Sequence, residues 1–310
     1  MKKTILVVGG TGFIGKNFIT TLIKKKKFNI FSLSKTKLSK KLCVKGIKYI
    51  FCDIKKKNQL KKKLNFSVDY VVNFSGHINH KEKKKTYETH FLGAKNLIDI
   101  FLKRKIKKFI QIGSSVEYGF LKSPHDEKNN LDIENLRSIY GRSKLSSTKY
   151  VIKCYKKNNF PGLVIRPYLI YGPGQSHERL IPTTIINCLK NNSFNCSSGK
   201  QIRNFMFVDD FSKILYKCLF LKISGEIFNI GSSKNYKVKF IINKINQLIG
   251  KGSPRYNKIK LRKDEPLNLY PKLKKIKRYI KFKRATKIEF GLKKTIFYYK
   301  KSYNEKNLFN

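Results

Sequence analysis

A glycine-rich turn near the amino terminus constrains the fold of this chain more than any other feature. Residues 4–8 read TILVV, an apolar run without alternation that is typical of a strand buried on both faces of a parallel sheet. The turn GGTGFIG follows and satisfies both GxGxxG and GxxGxxG. Apolar residues then recur at helical spacing, at Phe13, Ile14, Phe18, Ile19 and Leu22. This order predicts a nucleotide-binding strand–turn–helix unit.

The chemistry of a bound dinucleotide explains why this turn carries so few side chains. The tight turn, the close approach of backbone to pyrophosphate and the contact of helix with strand each exclude a side chain. Amide groups and the dipole at the helix N-terminus then attract the diphosphate. We therefore predict that the cofactor binds at Gly9, Gly12, Phe13, Ile14 and Gly15.

The end of the second predicted strand bears on the choice between NAD and NADP. The strand, residues 28–33, is followed by Ser34 and Lys35, whereas an NAD-specific fold places an acidic residue here to hold the ribose 2′-hydroxyl. A hydroxyl and a lysine suit a 2′-phosphate, so NADP is favoured over NAD. The alternative is that Lys35 belongs to the general excess of lysine in this chain.

Apolar strands and helical segments continue to alternate up to about residue 166. Strands are predicted to end at Asp53 and to cover 69–76, 108–115 and 162–167, with a helix over about 87–103. This alternation predicts an α/β fold, a Rossmann-type doubly wound parallel sheet. Asp53 follows the third strand, where its carboxylate either binds an adenine amino group or caps the strand end.

A tyrosine and a lysine with helical spacing indicate chemistry at the same sheet. Tyr140 and Lys144 form YxxxK, and positions i and i+4 share one helix face. A nearby ammonium favours the phenolate, so we expect Lys144 to lower the pKa of Tyr140. Ser114 and Ser115 follow the fifth strand at its carboxyl end, where open α/β sheets bind ligands. Together these groups indicate hydride transfer to or from an alcohol.

The full set of motifs resembles a known family. GGTGFIG, NFSG, IGSSVEYG, YGRSK, RPYLIYGPG, GKQIRNFMFVDD and FNIGS occur in the order seen in the extended short-chain dehydrogenase/reductases, the NAD-dependent epimerase/dehydratases that act on nucleotide sugars. The resemblance covers about residues 4–300. The segment from Tyr171 to Asp210 is similar to the reductases and epimerases of bacterial deoxyhexose pathways, including CDP-abequose synthases.

The resemblance implies roles for particular residues. The Ser/Thr-Tyr-Lys triad of the family maps onto Tyr140, Lys144 and a serine: counting back from Tyr118 favours Ser114, whereas counting forward to Tyr140 favours Ser115. Further cofactor contacts are implied at Ile54, Phe74, Ser75 and Gly76, and Asp53 gains weight as an adenine contact. Sugar binding is implied for Ser114 and Tyr140.

The resemblance also implies the domain organisation and a site for the nucleotide of the substrate. Residues 1–167 would form the NAD(P)-binding domain with the catalytic residues, and 168–310 a smaller, mainly helical substrate lobe, with segments returning to the core around 202–232. Arg203 and Arg262 match positions that bind the nucleotide or diphosphate, for which a bidentate guanidinium is well suited. The alternative for either arginine is a salt bridge between the lobes.

Departures from the family pattern narrow the expected reaction. Dehydratases of the family place Asp-Glu after the catalytic threonine, but Ser115 and Val116 stand there, so water elimination is disfavoured. Leu169 replaces a frequent asparagine, which makes the UDP-hexose epimerase type doubtful. We expect hydride transfer at carbon 4 of a nucleotide-activated hexose for surface polysaccharides, by a 4-keto reductase or a 4-epimerase. His77 and His80 either line the sugar pocket or lie on a surface loop.

Composition sets limits on partners and location. The formal charge of +52 comes from lysine runs throughout the chain, which favours a solvated basic surface over a specific nucleic-acid site. The six cysteines include no CxxC pair, so the sequence indicates neither a metal site nor disulfides. We expect a cytoplasmic protein without membrane association. The resemblance also implies a homodimer through the helices near 87–103 and 140–157. The competing hypothesis is a non-catalytic NAD(P) sensor or nucleic-acid-associated regulator on the same fold.

Overall fold

A computed structural model describes residues 2–37, 39, 43–261, 265–281 and 285–304. The strands, in chain order, are β1 (Lys3–Val8), β2 (Phe28–Ser34), β3 (Lys48–Phe51), β4 (Tyr70–Asn73), β5 (Lys108–Ile112), β6 (Gly162–Pro167), β7 (Leu169–Tyr171), β8 (Ser193–Asn195), β9 (Ile202–Arg203), β10 (Phe205–Phe207), β11 (Glu226–Ile230), β12 (Tyr236–Lys237), β13 (Ser253–Arg255) and β14 (Asn268–Leu269). The α-helices are α1 (Phe13–Lys25), α2 (Lys57–Lys63), α3 (Lys83–Tyr87), α4 (Gly93–Leu102), α5 (Ile139–Asn158), α6 (Leu180–Leu189), α7 (Val208–Cys218), α8 (Val238–Ile249), α9 (Lys274–Tyr279) and α10 (Ile288–Asn304).

Seven strands pair in parallel in the order β11-β6-β5-β4-β1-β2-β3. The chain runs outward from β1 through β2 to β3, and then outward from β4 on the other side. The strand order therefore reverses between β1 and β4, and open α/β sheets bind ligands at the carboxyl ends of the strands at such a switch point. The predicted doubly wound parallel sheet is confirmed. Its seventh strand, β11, comes from the C-terminal half of the chain.

The absence of alternation in β1 follows from burial on both faces of the sheet. Ile5 and Val7 pack on one face with residues of α1 and α7. Leu6 and Val8 pack on the other face with residues of α4 and α5. Because successive side chains of a strand point to opposite faces, a strand covered by helices on both sides is apolar at every position.

A third core lies in the C-terminal lobe. Apolar side chains of α6, α8 and α10 pack against β7 and β10, which form a separate two-stranded pair. The lobe is mainly helical, as predicted. The division between residues 167 and 168 remains a prediction. None of the helices in the described ranges combines the length and the apolarity that crossing a bilayer requires.

Candidate active site

The glycine turn between β1 and α1 has the shape that a pyrophosphate requires. Gly9 has φ +75°, and a Cβ at Gly15 would lie 2.3 Å from the Gly9 carbonyl oxygen. Gly12 is the N-cap of α1, and no side chain among the described residues caps the free amides of this helix. Uncapped amides at a helix N-terminus attract anions. The turn, including Phe13 and Ile14 at the start of α1, therefore fits a bound dinucleotide.

The predicted residues beyond the turn surround it. The Phe74 backbone lies against Gly9, where an added Cβ would be 3.0 Å from the Phe74 carbonyl carbon, and the Ser75 amide donates to Asn73 Oδ1 at 3.0 Å. Ile54 is buried against Gly93, where an added Cβ would lie only 2.5 Å from Ile54 Cδ1. The strand ends that carry Phe74 and Ile54 therefore lie at the same edge of the sheet as the turn.

The residues predicted to select the cofactor also meet at this edge. The Thr11 hydroxyl donates to Ser34 Oγ at 3.0 Å, and Lys35 Nζ lies 3.5 Å from Asp53 Oδ2. The other oxygen of Asp53 accepts the Lys55 amide at 3.0 Å, so this carboxylate does cap the backbone after β3. The partner Lys35 is largely exposed, and the adenine contact of Asp53 stays a prediction. The choice between NAD and NADP stays a prediction.

Tyr140 and Lys144 reach the carboxyl end of β5 from the first turns of α5. Ser138 caps this helix by accepting the Gly141 amide at 3.0 Å. The Tyr140 phenol then hydrogen-bonds to Ser114, and Lys144 Nζ donates to the Ile112 carbonyl at 2.8 Å. Helical spacing thus brings both side chains to the strand that ends before Ser114.

The two serines occupy different places. Ser114 is the N-cap of a short 3₁₀ helix, Ser115–Tyr118, and its amide donates to Glu117 Oε1 at 2.7 Å. Ser115 is the first residue inside that helix and is buried. The hydrogen bond to Tyr140 supports Ser114, rather than Ser115, as the predicted hydroxyl of the triad.

Burial dominates the electrostatics of the tyrosine and lysine. Burial lowers the pKa of Lys144 to about 8. Burial also raises the pKa of Tyr140, against the hydrogen bond from Ser114. The expectation that Lys144 lowers the pKa of Tyr140 below its ordinary value is therefore wrong for the protein alone. Lys144 Nζ is directed to the Ile112 carbonyl and lies 5.9 Å from the Tyr140 ring centroid.

The buried carboxylate of Glu117 stabilises the positions of Ser114 and the 3₁₀ helix. Its Oε2 accepts hydrogen bonds from Arg166 Nε and Thr148 Oγ1, both at 2.8 Å, and its side chain is fully buried. Both carboxylate oxygens are therefore engaged, and Oε1 holds the Ser114 backbone in place.

Two further groups near Tyr140 were missed or left open by sequence reasoning. The ring of His80, in the loop after β4, stacks on that of Tyr140 with centroids 4.0 Å apart, so this partly exposed loop residue lies at the site. The charge of Arg179, directly before α6, adds to the burial that lowers the pKa of His80 and opposes the burial that raises the pKa of Tyr140. We refer to Ser114, Tyr140, Lys144, His80 and Arg179 as the Tyr140 crevice. Arg179 lies within the segment from Tyr171 to Asp210 that resembles the family, but no pattern in that segment marked this arginine.

The two arginines predicted to bind the substrate have different outcomes. Arg203 is buried in β9, where Nη2 pairs with Glu265 Oε1 at 2.8 Å and Nη1 donates to the Leu267 carbonyl at 2.9 Å. The observed salt bridge joins two residues of the predicted C-terminal lobe, and both the salt bridge between the lobes and diphosphate binding by Arg203 stay predictions. Arg262 lies outside the described residues.

Comparison with known proteins identifies the family. Residues 5–231 match the model of the NAD dependent epimerase/dehydratase family. A dTDP-D-glucose 4,6-dehydratase of Dictyostelium discoideum is 30% identical over 74% of this chain and 58% of its own length. A UDP-N-acetyl-alpha-D-glucosaminuronate decarboxylase of Bacillus cytotoxicus is 28% identical over 98% of this chain and 100% of its own length.

Solved structures share the fold at lower identity. The dTDP-glucose 4,6-dehydratase of Bacillus anthracis, in complex with NAD, superposes with a TM-score of 0.85 at 24% identity, over 97% of this chain and 98% of that one. The UDP-glucose 4-epimerase of Thermotoga maritima superposes with a TM-score of 0.89 at 21% identity, over 97% and 99%. The match to the family model covers most of the chain and includes the glycine turn, Ser114, Tyr140 and Lys144. This chain therefore belongs to the NAD dependent epimerase/dehydratase family.

Proposed function

We propose that this protein transfers a hydride to or from carbon 4 of a nucleotide-activated hexose, as a 4-keto reductase or a 4-epimerase. The observation that carries the proposal is the Tyr140 phenol hydrogen-bonded to Ser114, one turn before Lys144 and at the same sheet edge as the glycine turn. A proton-transfer group beside a dinucleotide site is the arrangement that alcohol–ketone interconversion requires.

In the proposed mechanism, Tyr140 and Ser114 act on the oxygen bound to carbon 4 of the sugar, and Lys144 acts on the phenol. Tyr140 Oη exchanges a proton with the oxygen on carbon 4, and Ser114 Oγ hydrogen-bonds the same oxygen. Lys144 stabilises the phenolate that forms and would hold the nicotinamide ribose of a bound dinucleotide. That cofactor would supply or accept the hydride. Burial raises the pKa of Tyr140, which favours the protonated phenol that donates to a keto oxygen.

The side chains after Ser114 argue against elimination of water. Ser115 and Val116 occupy the two positions that hold Asp-Glu in dehydratases, and neither is an acid or base at neutral pH. The nearby carboxylate of Glu117 is held in a buried ion pair with Arg166. A dehydratase needs one group to protonate the leaving hydroxyl and another to remove a proton, so we propose that this chain leaves the sugar hydroxyls in place.

The setting of the enzyme is part of the proposal. All six cysteines are unpaired thiols, which suits a reducing compartment such as the cytoplasm.

We propose NADP, with NAD as the alternative, because Ser34 and Lys35 stand where an acidic residue would hold the ribose. A homodimer through α4 and α5 completes the proposal, and sedimentation velocity would measure it.

The deciding experiment is a substrate panel. Purified protein is incubated with NADPH or NADH and with 4-keto and 4-hydroxy hexoses carried on CDP, GDP, UDP or dTDP, and product stereochemistry is read by NMR. Tyr140→Phe should lose about 10² to 10⁴ in turnover while dinucleotide affinity stays within a few fold. Tyr155→Phe, on the same helix with its ring against Gly225, is the matched control. Retained turnover in Tyr140→Phe contradicts the mechanism.

A further inference from the structure

The ring of His80 lies flat on the ring of Tyr140. The two planes make an angle of 11° and the centroids are 4.0 Å apart. His90 approaches the same tyrosine edge-on, at 4.9 Å and 75°, and also contacts His80 at 5.8 Å. Two imidazoles from different segments therefore enclose the Tyr140 ring on one face and one edge.

The segments that carry these imidazoles are held in place. His90 Nε2 lies 3.1 Å from the His77 amide, in the same loop as His80. A Cβ at Gly76 would lie 2.6 Å from His90 Cε1, so only glycine admits this approach. Glu82 closes the loop by pairing with His77 Nε2 at 3.3 Å and accepting from Asn79 Nδ2 at 3.1 Å. The stack thus rests on a loop with its own internal contacts.

The stacked imidazole is uncharged at neutral pH. Burial, followed by the charge of Arg179, lowers the pKa of His80 to about 4. Burial likewise lowers the pKa of His90 to about 2. Neither ring adds a positive charge beside the phenol at neutral pH. Their contribution to Tyr140 is therefore contact and exclusion of water.

We propose that His80 is a positioning residue that holds the Tyr140 phenol towards Ser114 and shields it from water through ring stacking. The inference rests on the proposed function and goes beyond it, because no pattern in the sequence joins residue 80 to the triad. An exposed phenol in the first turn of α5 would otherwise rotate among side-chain conformers. A misplacement of about 1 Å at a reacting group can reduce the rate by about a hundredfold.

Other groups around Tyr140 are left unchanged by substitution at His80. Ser114 and Glu117 face the phenol from the 3₁₀ helix, and Arg179 acts from the segment before α6. Lys144 lies on the same helix as Tyr140, and His90 on the π-helical turn Glu88–Leu92. A change in the pH dependence of turnover after substitution of His80 therefore reports on the stack.

The test compares ring loss with ring replacement. His80→Ala should lower kcat by about tenfold, with the dinucleotide dissociation constant within about twofold, because the stack acts on Tyr140 and not on the pyrophosphate. His80→Phe retains a flat ring and should stay within about threefold of the wild type. Ile78→Ala removes an exposed side chain of the same loop and is the matched control.

The pH profile separates positioning from a general loss of structure. Burial raises the pKa of Tyr140, so admission of water in His80→Ala should move the limb assigned to Tyr140 to lower pH, whereas His80→Phe should leave it in place. An unchanged kcat and profile in His80→Ala, or equal loss in His80→Phe, would overturn the proposal. If the alanine variant fails to fold, His80→Gln, which is polar but has no ring, takes its place.

A second readout keeps this test independent of the substrate. The phenolate absorbance of the wild type minus that of Tyr140→Phe gives the ionisation of Tyr140 alone. The same subtraction is made in the His80→Ala background, where ionisation should shift to lower pH. If the wild type converts no nucleotide sugar, the proposed function fails, while this titration still decides the role of His80.

Discussion

The glycine turn and the Tyr140 crevice adjoin the same sheet edge but are built in opposite ways. The turn lies within seven consecutive residues and acts through backbone, with Gly9 at φ +75° and Gly15 in contact with it. The crevice acts through side chains from segments far apart, such as His80, Ser114 and Arg179. A site made of contiguous backbone depends on the local sequence, whereas a site made of distant side chains depends on how the elements pack.

The largest expected effect tests the backbone character of the turn. A Cβ at Gly15 would lie 2.3 Å from Gly9 oxygen and 2.8 Å from Gly10 Cα, so the backbone must shift. Gly15→Ala should lower the free energy of unfolding by about 3 kcal/mol and dinucleotide affinity by more than about a hundredfold. Thermal unfolding and calorimetric titration measure the two quantities.

Gly12→Ala is the matched control for this effect. Its Cβ would meet only the Gly9 oxygen, at 3.4 Å, and φ is −75°, which alanine adopts without strain. Stability should therefore be retained, while affinity falls because the new methyl faces the pyrophosphate site. Full affinity in Gly12→Ala would contradict close approach of the pyrophosphate at this residue.

The next prediction concerns the buried charge in the crevice. Lys144 has a pKa of about 8, below its ordinary 10.5, so burial of its charged form destabilises the folded protein at neutral pH. Lys144→Met should abolish turnover and yet stabilise the cofactor-free protein by about 1 to 3 kcal/mol at pH 7. The lost hydrogen bond to the Ile112 carbonyl offsets part of the gain.

The sign of the pH dependence follows from the two pKa values of this lysine. Below pH 8 the Lys144 ammonium is charged in both the folded and the unfolded state, so the folded protein bears the full free-energy cost of burying it. Between pH 8 and 10.5 the unfolded state binds more protons, and stability of the wild type rises with pH. The advantage of Lys144→Met over the wild type should thus shrink across this window in urea unfolding. A constant difference would contradict a buried ammonium.

A smaller effect is expected at Arg203, which is buried in β9 and paired with Glu265. Lysine cannot reproduce its contacts with Glu265 and the Leu267 carbonyl. Arg203→Lys should lower stability by about 1 to 2 kcal/mol and raise KM for the nucleotide sugar about tenfold, with dinucleotide affinity unchanged. Arg255→Lys, an exposed arginine of β13, is the control. Lower stability with an unchanged KM would show that Arg203 is a salt bridge only.

The smallest effect is expected at the exposed edge of the cofactor site. The Lys35–Asp53 pair is 3.5 Å long and Lys35 is 73% exposed, so its contribution to stability is close to nil. Lys35→Asp should leave stability unchanged and shift the NADPH/NADH preference towards NADH by several fold, since a carboxylate repels the 2′-phosphate. Lys37→Asp is the control for the general loss of positive charge. Equal shifts in both variants would assign Lys35 to the lysine background.

Local patterns predicted much of the fold because they report burial along one element. The β6 bounds of 162–167 match the structure, and β2 extends one residue past the predicted 28–33. The helix expected over 87–103 is α3, a π-helical turn and α4 in succession, with Glu88–Leu92 as the π turn. The apolar spacing shows which residues face the core. A π-helical turn adds only one residue and leaves that spacing nearly unchanged, so the sequence did not reveal it.

The sequence by itself determined the elements whose chemistry is local. The turn at Gly9–Gly15 requires glycines, which have no side chain, within one stretch of backbone. The spacing of Tyr140 and Lys144 places both residues on one helix face. Only the tertiary structure decided which serine meets the phenol, that His80 stacks on it, and that burial raises the pKa of Tyr140. Solvent exclusion and contacts between distant segments arise when the elements pack, and no spacing along the chain encodes them.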